Sequence, residues 1–126
     1  MDFEEVKDSG ERQKFSTGAV RDTQKGKGRF DLLPPRALKR IAKHFENGAI
    51  KYGDRNWEKG MPFTRYIDSA LRHLFAILEG KNDEDHKSAV AWNMLCLIEL
   101  EERIESRLIS KDLNDLPKDL NTHSKT

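Results

Sequence analysis

The sequence predicts an all-α protein, and three observations predict it. Apolar residues recur at helical spacing over three long segments, proline and glycine stand at the ends of those segments, and a short GKND turn joins the last two into an antiparallel hairpin.

Residues 1–31 are polar and glycine-rich. The stretch RDTQKGKGRFD carries Arg21, Lys25, Lys27 and Arg29 against Asp22 and Asp31, too little apolar surface to fold alone, so it reads as a tether or as an arm that closes over something anionic. The first helix is predicted over 35–52, because Pro35 suits a first helical position. Leu38, Ile41, Ala42, Phe45 and Ala49 share one face of it; Gly48 weakens it and Gly53 stops it. The loop KYGDRNWEKGMPF follows, with Tyr52 and Trp57 expected at the surface.

Thr64 is a candidate cap for a second helix over 64–79, whose inner stripe reads Ile67, Ala70, Leu71, Leu74 and Leu78. Asp83 is the candidate cap for a third over 84–107. Between 89 and 98 that helix is apolar around its whole circumference, interrupted by Asn93, which argues burial on every side. Three helices do not easily supply that much cover, so the bundle is expected to be completed by dimerisation, in a homodimer or a higher homo-oligomer. The predicted organisation is an arm (1–31), a helical catalytic domain (32–109) and a polar, flexible tail (110–126).

Composition narrows the function classes. Charged residues make up 36% of the chain, yet the formal charge is only +1, which gives no general case for nucleic-acid binding. The one cysteine, Cys96, lies in the apolar run and has no partner for an intrachain disulfide, as expected of a reduced, cytoplasmic setting. The N-terminal stretch has no secretory h-region, and no stretch has the length to cross a bilayer.

With the GKND turn centred near Lys81, residues whose numbers sum to about 162 lie side by side on the hairpin. Ser69 and Asp68 then fall near Asn93, and His73 falls near Ala89 and within reach of His86. His86 and Asn93, seven apart, share a face. A buried asparagine in a bundle often only fixes register, and Asp68 with Arg72 forms an ordinary i,i+4 pair. The functional reading rests on the cluster: His73, His86, Asn93, Asp83 and Asp85 converge on one end of the hairpin, where the loop KYGDRNW is expected to cover them. Carboxylates and amides suit a hard cation such as Mg²⁺, and imidazoles suit phosphate contacts or proton transfer.

Four blocks in order, GAVRDTQKGKGRFDLLPPRAL, GAIKYGDRNWEKG, SALRHL and DEDHKSAVAWN, resemble the MazG-like dATP/dGTP diphosphohydrolase family of phages and prophages, over about residues 9–102. The resemblance implies a MazG-like helical bundle that cleaves a purine deoxynucleoside triphosphate (dGTP, dATP or both) between its α and β phosphates, with Mg²⁺ or Mn²⁺, in phage purine metabolism or nucleotide housecleaning. The chain departs from the superfamily's acidic helix motifs, ExxE and ExxD. Arg72 and His73 stand where the first belongs; Asn93 stands near the aspartate of the second, with Ala89 and Val90 in place of its glutamate. Asp83, Asp85 and Glu79 are then the candidate metal ligands, with Glu46 a further acid, and His73, His86 and Asn93 the candidate catalytic residues. Lys27, Arg29, Lys51, Arg55 and Arg72 are candidates for the triphosphate. Tyr52 or Trp57 would stack on the purine while Asn56 reads its edge. The alternative is a non-catalytic helical dimer binding nucleic acid or a protein through its basic arm.

Overall fold

The structure is a computed structural model that describes residues 7–119. The chain divides into two units, Met1–Pro34 and Pro35–Thr126.

The first unit carries two strands that the all-α reading did not include. β1 (Arg12–Lys14) pairs antiparallel with β2 (Val20–Asp22), Arg12 opposite Asp22 and Lys14 opposite Val20. Backbone bonds from Phe15 N to Ala19 O and from Gly18 N to Phe15 O, both 2.9 Å, close the turn between them. Asp22 gathers Lys27 (2.7 Å), Arg12 (3.5 Å) and the Ser9 hydroxyl. Local hydrogen bonds and surface charge, rather than apolar burial, hold this hairpin.

The second unit is a three-helix bundle: α1 (Pro35–Tyr52), α2 (Phe63–Leu78) and α3 (His86–Glu105). α2 and α3 form the antiparallel hairpin, and α1 packs along α3. Phe63, Tyr66, Cys96, Leu97 and Leu100 make the buried centre. The inner face of α2 therefore runs through Phe63, Tyr66, Ile67 and Ala70, not through Leu71, Leu74 and Leu78 as the periodicity suggested; those three are exposed. Both faces of α2 are apolar, so spacing alone does not choose between them. On α3 the expected all-round burial also fails within one chain, since Leu95 and Ile98 face outward. On α1, Ile41, His44 and Phe45 turn inward and Leu38 stays exposed. Among the described residues, no helix is long and apolar enough to cross a membrane.

The caps differ from expectation. Thr64 does not cap α2 with its own side chain; its N–H and hydroxyl both donate to the Asp115 carboxylate, at 2.9 and 2.7 Å. These bonds depress the Asp115 pKa and tie down a segment read as polar and flexible. Ile109, Leu113 and Leu116 pack on the core, with Leu113 over Gly60, where an added Cβ would stand 2.7 Å from its Cδ1. α2 ends in a Schellman motif: Gly80, at φ 75°, donates to Ile77 O, and Lys81 N reaches back to Ala76 O at 3.0 Å. That turn aims the start of α3 back at α2.

Tyr66 is fully buried, its hydroxyl finds no partner among the described residues, and burial pushes its pKa up to about 12. Tyr66→Phe removes an unpaired polar atom, so we expect a neutral or stabilising change of up to ~1 kcal/mol in urea unfolding. A loss above ~1 kcal/mol would mean that the hydroxyl has a partner in solution.

Candidate active site

The polar cluster forms where α2, α3 and the start of α1 meet. The Schellman turn brings His73 and His86 together with their Nδ1 atoms 2.8 Å apart. On its other side, His86 Nε2 meets Asp83 Oδ1 at 2.8 Å. A carboxylate only accepts, so Nε2 carries the proton there, and in neutral His86 the Nδ1 lone pair faces His73. Glu84 Oε1 stands 3.7 Å from His73 Nδ1. His73, Glu84 and His86 are the one group among the described residues whose His, Cys, Asp or Glu ligand atoms converge, all within 4.8 Å of one another. His86 is buried while Glu84 is exposed, so the group opens outward. It borders a shallow cleft of about 510 Å³, whose cationic lining is Arg40, Lys81 and Lys87.

The candidate metal acids occupy different places. Asp83 bonds the outer nitrogen of His86, on the side away from His73. Asp85, rather than Asp83, caps α3: its carboxylate accepts from Ser88 N (3.1 Å) and Ser88 Oγ (2.6 Å), and Arg40 grips it bidentately at 2.7 and 2.6 Å. With these partners it is not free to hold a metal. Glu79 stands at the helix end, 3.6 Å from Lys81 Nζ, outside the convergent group.

Arg40 first, then Ser88, holds the Asp85 carboxyl well below its ordinary value of 3.8. A depressed carboxyl contributes stability that is fully present above that ordinary value and is lost as pH falls towards the folded one. Asp85→Ala should cost ~2 kcal/mol at pH 7, mostly as the lost cap. The difference from the parent in urea unfolding should shrink below pH ~4, and a gap unchanged down to pH ~2.5 would contradict this role.

Asn93 lies two turns beyond His86. Its Nδ2 donates to Ala89 O at 2.8 Å and to Ser69 Oγ at 3.3 Å. The carbonyl partner settles which amide atom is nitrogen, because Ala89 O only accepts. Ser69 opposite Asn93 is the pairing that the hairpin register predicts.

The loop expected over this cluster lies at the other end of the hairpin. Trp57 packs edge-on against Phe45 and carries the Arg103 guanidinium 5.3 Å above its ring, while Arg103 also reaches Glu58. Arg103 is 17 residues along α3 from His86, about 25 Å at 1.5 Å per residue. Trp57 thus pins the loop to the bundle, and its neighbour Asn56 is half-buried. Arg55, at φ 58°, pairs with Glu58, and Lys51 sits over the Tyr52 ring. Arg72 pairs with Asp68 on the exposed side of α2. Lys27 and Arg29 belong to the first unit, paired there with Asp22 and Asp31.

Sequence reasoning missed Arg40, His44, Glu84 and Lys87. Arg40 and His44 stand four apart on α1, a one-face signal lost among the basic residues of that helix. His44 lies against Trp92, with ring centroids 5.9 Å apart. Burial lowers its pKa, partly offset by the Asp85 and Glu84 charges.

A family model described as dATP/dGTP diphosphohydrolase, N-terminal, matches residues 17–108. The chain belongs to that family. The match spans the three helices from Pro35 onward and the polar cluster between them. No curated protein and no solved structure matches this chain.

Proposed function

We propose that this member of the dATP/dGTP diphosphohydrolase family hydrolyses dGTP, dATP or both to the deoxynucleoside monophosphate and pyrophosphate. The observation that carries the reading is the family match over residues 17–108. The cluster supports it with histidines, a carboxylate and cations gathered at one open cleft. In the proposed reaction, water adds to the α-phosphorus in line with the bridging oxygen, the Pα–O bond breaks, and pyrophosphate departs. Arg40, Lys81 and Lys87 meet the polyphosphate charge. His44 is the imidazole that α1 contributes, in the proposed reaction, to take the proton of the attacking water. Among the described residues the convergent donors are two imidazoles and one carboxylate. That set accepts Mn²⁺ more readily than Mg²⁺. When bound, a divalent cation neutralises charge on the phosphate oxygens.

On this reading 32–109 is the catalytic domain and 1–31 an arm for the anionic substrate. The test is product analysis with Mg²⁺ or Mn²⁺ and each common dNTP separately, resolved by ion-exchange chromatography. Monophosphate and pyrophosphate should appear from dGTP or dATP, with dCTP and dTTP spared. A folded protein that consumes no nucleotide would overturn the reading.

The same reading includes a second copy of the chain. Leu71, Leu74, Phe75 and Leu78, at i, i+3, i+4 and i+7, leave an apolar stripe exposed on α2, and Leu95 and Ile98 do so on α3. Such a patch on a small domain marks an interaction surface. Light scattering should give twice the 14.6 kDa chain mass. Phe75→Glu combined with Leu78→Glu should return it to the single-chain value, and a monomeric parent would contradict the dimer.

A further inference from the structure

The geometry points to a transition-metal site in which His73 Nδ1, His86 Nδ1 and Glu84 Oε1 are the ligands and Asp83 is the outer carboxylate that orients His86. This goes beyond the hydrolase reading: the site would bind zinc, cobalt or a similar ion whether or not nucleotide is turned over.

The bond between His86 and Asp83 prepares His86 as a ligand. A histidine that ligates a metal through one ring nitrogen usually donates its other N–H to a carboxylate, which fixes the tautomer and strengthens the ligand. Asp83 Oδ1, 2.8 Å from His86 Nε2, is such a partner. It leaves the Nδ1 lone pair bare and directed at His73, on a side chain that is only 7% exposed. The His73 and His86 Nδ1 atoms then face each other at 2.8 Å, with one N–H between them in the metal-free state. A metal takes the place of that proton when neutral His73 carries its hydrogen on Nε2 instead, so no net proton need be lost from the pair.

The donors lie close enough to meet on one shared ion after small side-chain movements. Metal–nitrogen and metal–oxygen bonds of about 2.0–2.2 Å place donors around a tetrahedral centre about 3.3–3.6 Å apart. The observed separations are 2.8 Å between the imidazoles and 3.7 Å from His73 Nδ1 to Glu84 Oε1. The imidazoles, now at hydrogen-bond distance, part by about 0.5 Å to admit the ion, and the Glu84 side chain, 56% exposed, swings in towards them. Three protein ligands on a site bordering an open cleft leave a coordination position facing solvent, the pattern of catalytic rather than structural metal sites.

The donor chemistry selects the ion. Two imidazoles and one carboxylate suit zinc, cobalt, nickel and manganese, whereas Mg²⁺ requires hard oxygen ligands and dehydrates reluctantly. Asp83 and Asp85, expected as ligands from the sequence, have other work in this arrangement. Asp83 orients a ligand, and Asp85 caps α3 and holds Arg40 at the rim.

The test uses the full, untagged chain stripped with EDTA and then exposed to Zn²⁺, Co²⁺, Mn²⁺ or Mg²⁺ alone. Retained metal is measured by mass spectrometry after gel filtration, and the Co²⁺ form by its visible spectrum. We expect about one Zn²⁺ or Co²⁺ per chain and no retained Mg²⁺. Glu84→Gln and Asp83→Asn alter exposed side chains, so they should fold normally by circular dichroism. Each should weaken Co²⁺ binding by about 10–100-fold, and His73→Gln should abolish it. Glu79→Gln should change nothing. The proposal is overturned if no transition metal is retained, if Mg²⁺ binds as tightly as Zn²⁺, or if Glu84→Gln and His73→Gln bind Co²⁺ like the parent. Because nucleotide is absent, the outcome separates the two readings. Metal bound without hydrolysis keeps this site and removes the hydrolase; hydrolysis with no retained ion does the reverse.

Discussion

His86→Ala is expected to lower kcat/KM for dGTP and dATP by more than ~100-fold, about 2.7 kcal/mol of transition-state stabilisation. The size follows from position. His86 joins His73 on one ring nitrogen and Asp83 on the other, at 2.8 Å each, so its removal dismantles both bonds at once. The fold should tolerate the change. His86 opens α3, alanine is a strong helix former, and the helix keeps its Asp85 cap. Steady-state kinetics beside far-UV circular dichroism would check it. Activity within threefold of the parent, on an intact fold, would remove the histidine pair from the site.

Asn93→Asp is expected to destabilise the chain by ~3 kcal/mol at pH 7, although the two side chains are nearly isosteric. Asn93 is 2% exposed and donates Nδ2–H to the Ala89 carbonyl at 2.8 Å. A carboxylate there would set oxygen against oxygen in a buried place. The introduced carboxyl, buried in the variant, would titrate above its unfolded value. The penalty is therefore fully present above the folded pKa and disappears as pH falls below the unfolded one, ~3.9. Urea unfolding at pH 7 and pH 4 measures this, and equal losses at both would contradict it. The experiment also asks why this buried position carries an amide rather than a carboxylate. The structure's reason is the bond to Ala89, which an ionised aspartate cannot make.

The helices were legible because proline, glycine and apolar spacing agree. The predicted spans 35–52, 64–79 and 84–107 meet Pro35–Tyr52, Phe63–Leu78 and His86–Glu105. The hairpin register was legible too, since a short turn fixes which residues face each other; Ser69 meets Asn93 and His73 meets His86. The inner face of α2 was not, because Leu71, Leu74 and Leu78 are as apolar as Phe63, Tyr66 and Ala70. Packing against α3 makes that choice, and pattern does not record it. The docking of the segment after α3 depends on two leucines and on Asp115 meeting Thr64 across 51 residues, a pairing with no local signature. The polar cluster was legible only in its hairpin half. Arg40 and His44 come from α1, whose approach is set by Phe45 meeting Trp92 at 6.1 Å. The same packing runs α1 alongside α3 and leaves the Trp57 loop near Arg103, far from His86. The amide in AVAWNMLCLI is thus satisfied by its own helix and by α2, on the face that carries His86.

The most direct test of the proposed hydrolysis is ³¹P NMR of dGTP and dATP mixed with the purified chain and Mn²⁺ in substoichiometric amount, or with Mg²⁺. The three triphosphate resonances should disappear while two signals grow, one for the deoxynucleoside monophosphate and one for pyrophosphate. Release of inorganic phosphate with a diphosphate, release of inorganic triphosphate, or unchanged nucleotide in the presence of folded protein would contradict it.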